Sequence, residues 1–321
     1  MAGKLTDDRQ MSASRLPALM GYSRYATPND ELQYSIRAIG GLERPFLENS
    51  AILFGNLLEP IVIEQACKRL GITKFDSNIR QAVVHESLPL QCSLDGLAEG
   101  QGQTIVSDPA NGIYVMNEKG VIVLRGMGVI EAKTTKAFPE TGSDLSLARG
   151  PIQLQGQLLC TGHQWGAVAV LYSGQELRIF LFEAHYETQK EIVKQVIQFQ
   201  SKLDKYIATG EFDWYEPTAS IEVNRFFPIA HKEQIELDGK AIELAQTILD
   251  KKLVIASCES VIDDAEMKLK QMLGDAEKAI AGSMIISWPM RHYQEQKEKL
   301  KPYRKAYSIR QTNISIKELT T

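Results

Sequence analysis

The 321-residue chain is poor in several residue types that would announce a function. Its four cysteines, Cys67, Cys92, Cys160 and Cys258, are scattered and form no CxxC pair. That excludes a zinc ribbon or iron–sulfur framework and leaves the reading of reduced thiols in a cytosolic protein. Histidines number five; His85 and His163 belong to no spaced ligand cluster, so each is read as structural. No apolar run approaches the length of a membrane span, and the first ten residues, MAGKLTDDRQ, are charged rather than leader-like. The expectation is a cytoplasmic protein without a membrane partner. A net charge of -4 gives no global sign of nucleic-acid binding, which leaves that role to a local patch. Neither an internal repeat nor a low-complexity tract is visible.

What is present is enough apolar sequence, 44% of residues, for a sizeable core in one large or two ordinary domains. A short helix is expected after Ser12 or Ser14, and a second one after Thr27 or Asn29 as cap. Leu58, Ile61, Val62, Ala66 and Leu70 have helical spacing closed by Gly71, with Pro60 predicting a kink or a helix start there. Strands follow at 79–85 and 90–98, then Gly-rich hairpins up to a strand over 129–134. Residues 136–149 read as a flexible segment. Pro151 opens a helix through Thr161. WGAVAVLY and LRIFLFEA read as paired strands. A long helix over 186–208 turns Ile192, Val193, Val196, Ile197, Leu203, Tyr206 and Ile207 inward. Composition changes around Phe212–Pro217, which suggests domains at 1–212 and 213–321. Residues 231–280 are helical in period. The tail from Trp288 carries eight Lys/Arg against three Glu, interleaved with aromatics. Such a tail suits either DNA contact or a solvated face around a small hairpin.

The stretch GVIEAKTT carries the sharpest signal. On a strand, alternate side chains share a face, so Glu131 and Lys133 project together from a segment whose preceding residues, Val129 and Ile130, read as buried. Buried charges need partners. A divalent cation held by Glu131 and the upstream Asp95 of CSLDG would be one. Magnesium takes oxygen ligands, keeps several waters and needs only one or two carboxylates. An adjacent ammonium can position water or stabilise developing charge. Those are the parts needed to hydrolyse a phosphodiester.

The ordered set Glu59 (in GNLLEP), Asp95 (in SLDG), Glu131 and Lys133 (ExK) and Gln153 (in QLQGQ) resembles the PD-(D/E)xK nuclease superfamily. More narrowly it is similar to the lambda exonuclease and YqaJ-type phage recombination nucleases, over roughly residues 10–210. The resemblance implies an α/β restriction-endonuclease-like core, a mixed central sheet flanked by helices, followed here by a helical and β-hairpin extension. It implies a Mg²⁺ cofactor, with Mn²⁺ as a substitute, held by Asp95, Glu131 and the Ala132 carbonyl. Lys133 would act on the attacking water, Glu59 would assist, and Gln153 would hold Lys133 or the phosphate in register. Ser14 fits a family serine, and with the neighbouring Arg15 is a candidate for a DNA 5′-phosphate. The implied activity is 5′-to-3′ digestion of linear double-stranded DNA, leaving 3′ overhangs for recombination in a bacterial or phage-infected cell. A toroidal homotrimer and a single-strand annealing partner are implied as well. The 36-residue interval from Asp95 to Glu131 is longer than the family's compact hairpin, and the Gly-rich segment 100–128 accounts for it.

Two other functions fit the same residues. A structure-specific or nicking endonuclease would share the core and differ in cutting closed circles. A non-catalytic DNA-binding or assembly protein would bind without metal-dependent turnover. Gln157, four residues after Gln153, shares its helical face and reads as solvated.

Overall fold

A computed structural model of the chain describes residues 5–42, 49–137, 145–218, 222–223, 226–227 and 234–290. The chain divides into two compact units, Met1–Glu222 and Val223–Thr321.

The first unit is built on a six-stranded sheet. In chain order its strands are β2 (Phe75–Asp76), β5 (Gly96–Val106), β6 (Ile113–Val115), β7 (Val121–Thr135), β8 (Trp165–Tyr172) and β9 (Glu176–Glu183). Across the sheet they run β2-β5-β7-β8-β9-β6. β7 pairs parallel with β8 and β6 parallel with β9, while the other pairings are antiparallel. The sheet is therefore mixed, as expected. A smaller three-stranded sheet joins β1 (Met11–Ser12), β4 (Leu90–Cys92) and β3 (Val83–Val84).

Strand alternation decides which helix covers which face. Along β8, Ala167 and Ala169 pack with Val62, Ile63 and Ala66 of helix α3 (Ser50–Arg69). Val168, Val170 and Tyr172 point the other way, to Leu154 and Leu158 of helix α4 (Pro151–Thr161) and to Ile192, Val196, Phe199 and Leu203 of helix α5 (Tyr186–Thr209). A strand covered on both faces reads as a continuous apolar run, and WGAVAVLY does so. Close packing also fixes Gly128 of β7, because a Cβ there would lie 2.2 Å from the Trp165 ring. Helices α1 (Leu16–Leu19) and α2 (Pro28–Ile39) complete this layer. Thr27 caps α2 through a capping box with Asp30. The alternative cap, Asn29, is buried instead and bonds Glu222 and the Tyr215 backbone.

Several expectations change. Helix α3 starts at Ser50 and runs through Pro60 rather than starting there, with flanking turns holding it across the hydrogen bond the ring removes. The strand expected over 90–98 is two strands, with Asp95 in the bend between β4 and β5. The Gly-rich segment is no separate insertion: β5 and β7 are the two long arms of one antiparallel hairpin, with a register shift between Gln101 and Gln103. On α5, Ile197 and Ile207 are exposed and Phe199 is buried in their place. The expected flexible segment 136–149 lies in part outside the described residues.

The first unit runs past 212 to Glu222 because Trp214 and Tyr215 pack against the core cluster and Lys202 pairs with Asp213. The second unit contains one long helix, α6 (Gly239–Leu273), and a hairpin of β10 (Lys278–Ala281) and β11 (Met284–Ser287). Among the described residues no helix is long and apolar enough to cross a membrane.

Candidate active site

The hairpin register opens the site. Gly96, the first residue of β5, pairs with Ile130, so β7 continues from Glu131 to Thr135 with no β5 partner on that edge. Asp95 fills the first vacant place: its Oδ2 accepts the Ala132 N–H at 2.9 Å. The N–H and C=O of one strand residue face the same neighbour, so the Ala132 carbonyl faces this edge as well. On its other edge β7 is held by β8, with Glu131 beside Val168 and Lys133 beside Val170.

Glu131 and Lys133 share the face under α4, as the two-residue period requires. Glu131 is fully buried, and its Oε1 accepts from the Lys133 ammonium. Lys133 also donates to Gln153 Oε1 at 3.1 Å. One turn along α4, Gln157 Nε2 donates to Glu131 Oε2 at 2.6 Å and to the Ser93 carbonyl at 3.1 Å. Gln157 is fully buried, not solvated as its sequence position suggests. The signal that could have found it is its i, i+4 relation to Gln153, which puts both amides over the ExK pair.

Burial pushes the Asp95 carboxyl well above the usual carboxylate range, and the nearby Glu131 and Glu59 push it further. Glu59, half-buried on α3, is also shifted upward, first by burial and then by Glu131. Burial alone would lower the Lys133 ammonium; Glu131, Asp95 and Glu59 outweigh it, so the group lies above an ordinary lysine and stays protonated. The four groups thus form one electrostatic cluster with three acids and one base.

Among the described residues, no three His, Cys, Asp or Glu side chains form a set that could hold a metal by themselves. The donors at this edge are two carboxylates and one backbone carbonyl, all oxygen. That set fits a hard cation that keeps several of its waters. The surplus of buried negative charge fits one too, since an added cation relieves the repulsion that raises the Asp95 carboxyl.

Ser14 and Arg15 do not join this cluster. The Ser14 hydroxyl lies 3.2 Å from that of Ser12. Arg15 is buried and spends its donors inside the fold, on Glu31 Oε2 at 2.5 Å, the Glu31, Asp8 and Gln10 carbonyls, and Ser35 Oγ. A guanidinium so engaged has no fork left for a phosphate, so the phosphate reading of Arg15 is corrected to a structural one. His85 is structural as well: its Nδ1 accepts the Ser87 and Leu88 N–H groups of a turn.

Comparison with known proteins bears on the same segment. No curated protein matches the chain. Among solved structures, an alkaline exonuclease from Laribacter hongkongensis, LHK-Exo, is 18% identical and aligns 63% of this chain with 91% of its own at a TM-score of 0.44. A phage-related exonuclease from Haemophilus somnus 129PT is 13% identical over 63% of this chain and 96% of its own, with a TM-score of 0.38. Residues 8–164 match the family model of the YqaJ-like viral recombinase domain. That segment, which holds Glu59, Asp95, Glu131, Lys133, Gln153 and Gln157, is similar to the YqaJ-like viral recombinase domain.

Proposed function

We propose that this protein is a Mg²⁺-dependent deoxyribonuclease that digests linear double-stranded DNA from 5′ ends and leaves 3′ single strands for recombination. The observation that carries the reading is the joined set on β7: Glu131 and Lys133 on one face, locked by Gln157 and Gln153, with Asp95 on the Ala132 N–H. The family match supports a role in viral recombination.

Asp95, Glu131 and the Ala132 carbonyl would hold the cation, which when bound neutralises phosphate charge and makes a coordinated water more acidic. The chain's own groups do the rest. Lys133 would orient or activate the attacking water, or donate a hydrogen bond to a non-bridging oxygen. Gln153 fixes the direction of that ammonium. Gln157 holds one Glu131 oxygen so that the carboxylate keeps a single orientation. Glu59 on α3 is electrostatically linked to Glu131 and Lys133 and would assist through a second-metal or water contact.

The test is incubation with Mg²⁺ and linear duplexes labelled at the 5′ or the 3′ end, with a covalently closed circle alongside. Early release of 5′ label as mononucleotide, late loss of 3′ label and an intact circle are expected. A linearised circle would replace the reading with an endonuclease. Binding without turnover in Mg²⁺ or Mn²⁺ would replace it with a non-catalytic DNA-binding protein.

A further inference from the structure

Helix α6 is 35 residues long, about 52 Å at 1.5 Å per residue, and Leu273 is its only buried residue among those described. Helices in water draw most of their stability from packing an apolar face. The apolar side chains of α6 recur every seventh residue: Ala241, Ile248, Ile255, Ile262 and Leu269. A second series lies three residues after each of these: Leu244, Lys251, Cys258, Ala265 and Met272. Together they form an a/d seam with the 3.5-residue period of a coiled coil. Of this seam, Leu244, Ile248, Ile255, Ile262, Leu269 and Met272 are all at least 37% exposed. The opposite stripe, begun by Ile242, Leu249 and Leu253, is interrupted by Gln246, Ser260, Asp263 and Lys270.

We propose that α6 pairs antiparallel with the α6 of a second copy of this chain, centred between Ala256 and Ser257. A second copy is favoured because the helix is complementary to itself in side-chain size and charge when two copies run antiparallel.

Side-chain size and charge select the antiparallel arrangement. A two-fold axis at the helix centre sets Leu244 against Leu269 of the second copy, Ile248 against Ala265, and Ala241 against Met272, so large meets small or like meets like at these three layers. Lys251, the single charge in the seam, faces Ile262 of the second copy. A parallel, in-register pair would face it with another Lys251. Beside the seam the axis brings Lys252 of each copy next to Glu259 of the other, two opposite-charge pairs per dimer, and places Val254 next to Val261. Within one helix Lys252 and Glu259 are two turns apart and do not meet.

The test uses the full chain in analytical ultracentrifugation across micromolar concentrations. Ile255→Asp with Ile262→Asp is expected to lower the molar mass relative to wild type, while Met267→Asp, the same change on the opposite stripe, leaves it unaltered. All three side chains are already exposed, so the folded chain tolerates these changes, which circular dichroism checks. Lys252→Glu alone should raise the dissociation constant about tenfold. Lys252→Glu with Glu259→Lys should bring it back to within about twofold of wild type. An unchanged mass for the Ile255/Ile262 variant, or a wild type monomeric throughout, overturns the pairing. Failure of the double charge swap to rescue overturns the antiparallel direction, because a parallel pair never brings these two positions together. None of these readouts depends on nuclease activity.

Discussion

Gln157 Nε2 donates to Glu131 Oε2 at 2.6 Å, and both side chains are fully buried. The same amide nitrogen holds the Ser93 carbonyl, two residues before Asp95. One side chain on α4 therefore ties the strand-borne acid to the bend that carries the other acid. Each acid is placed relative to the other through this amide and through the Ala132 N–H.

Replacing Gln157 with Leu keeps the volume and removes both hydrogen bonds. A buried Glu131 oxygen is left without a donor, and the Ser93–Asp95 bend loses its tether. The expected outcome is a folded protein whose Mg²⁺ dependence moves to higher concentration and whose DNA cleavage falls about 10–100-fold, the usual cost of losing a group that orients a metal ligand. Initial rates across a Mg²⁺ titration check this. Unchanged rates and half-saturation would show that Glu131 keeps its orientation without the amide.

Lys133 is the only cation in contact with Glu131 among the described residues. Lys133→Ala removes the donor to the reacting phosphate or water, and turnover is expected to fall by about 10²–10³-fold or more. DNA affinity should stay near wild type, since one site contact contributes little beside the backbone contacts of a long duplex. Filter binding in Ca²⁺, beside cleavage in Mg²⁺, separates the two effects. Retained cleavage would take the ammonium out of the mechanism.

Asp95 gives a prediction in which metal-free stability and stabilisation by metal move in opposite directions. Burial and the neighbouring Glu131 raise its carboxyl well above the ordinary range, so the charged form is disfavoured in the metal-free fold. A carboxyl raised on folding costs stability wherever it is ionised in the unfolded chain. Asp95→Asn keeps the acceptor for the Ala132 N–H and removes the charge. The metal-free variant is expected to melt above metal-free wild type. Added Mg²⁺, which should stabilise wild type by about 2.7 kcal/mol at a hundred times its dissociation constant, should barely move the variant. Differential scanning calorimetry in EDTA and in Mg²⁺ checks both halves. A variant melting lower than wild type in EDTA would mean that the carboxylate is not strained in the metal-free fold.

Which parts of this site could be read from the chain follows from the range of the interactions. Glu131 and Lys133 share a face by strand geometry alone, and Gln153 lies on a helix announced by Pro151. Gly-rich residues 100–128 looked like an insertion because hairpin arms that diverge from simple alternation at a register shift leave no clean two-residue period. Gln157 looked solvated because its burial depends on where the bend at Ser93–Asp95 lands, a contact 64 residues away in sequence. The helix does not begin at Pro60 because local propensity yields when a helix is held by packing of Val62, Ile63 and Ala66 beyond it.

Arg15 shows the same limit, with a measurable consequence. From its position beside Ser14 it resembles a phosphate ligand, but its guanidinium pairs with Glu31, sixteen residues on, and both side chains are almost fully buried. Removing one member of a buried, hydrogen-bonded pair leaves the other charge uncompensated, which costs about 3–5 kcal/mol. Arg15→Gln should lower the urea midpoint accordingly, whereas cleavage per folded molecule, assayed well below that midpoint, should stay within a fewfold of wild type. Arg15→Gln with Glu31→Gln should recover much of the loss, because no charge is then left stranded. A variant of normal stability that fails to discriminate 5′-phosphorylated from 5′-hydroxyl ends would return Arg15 to the DNA, since only a side chain reaching the terminal phosphate can read that difference.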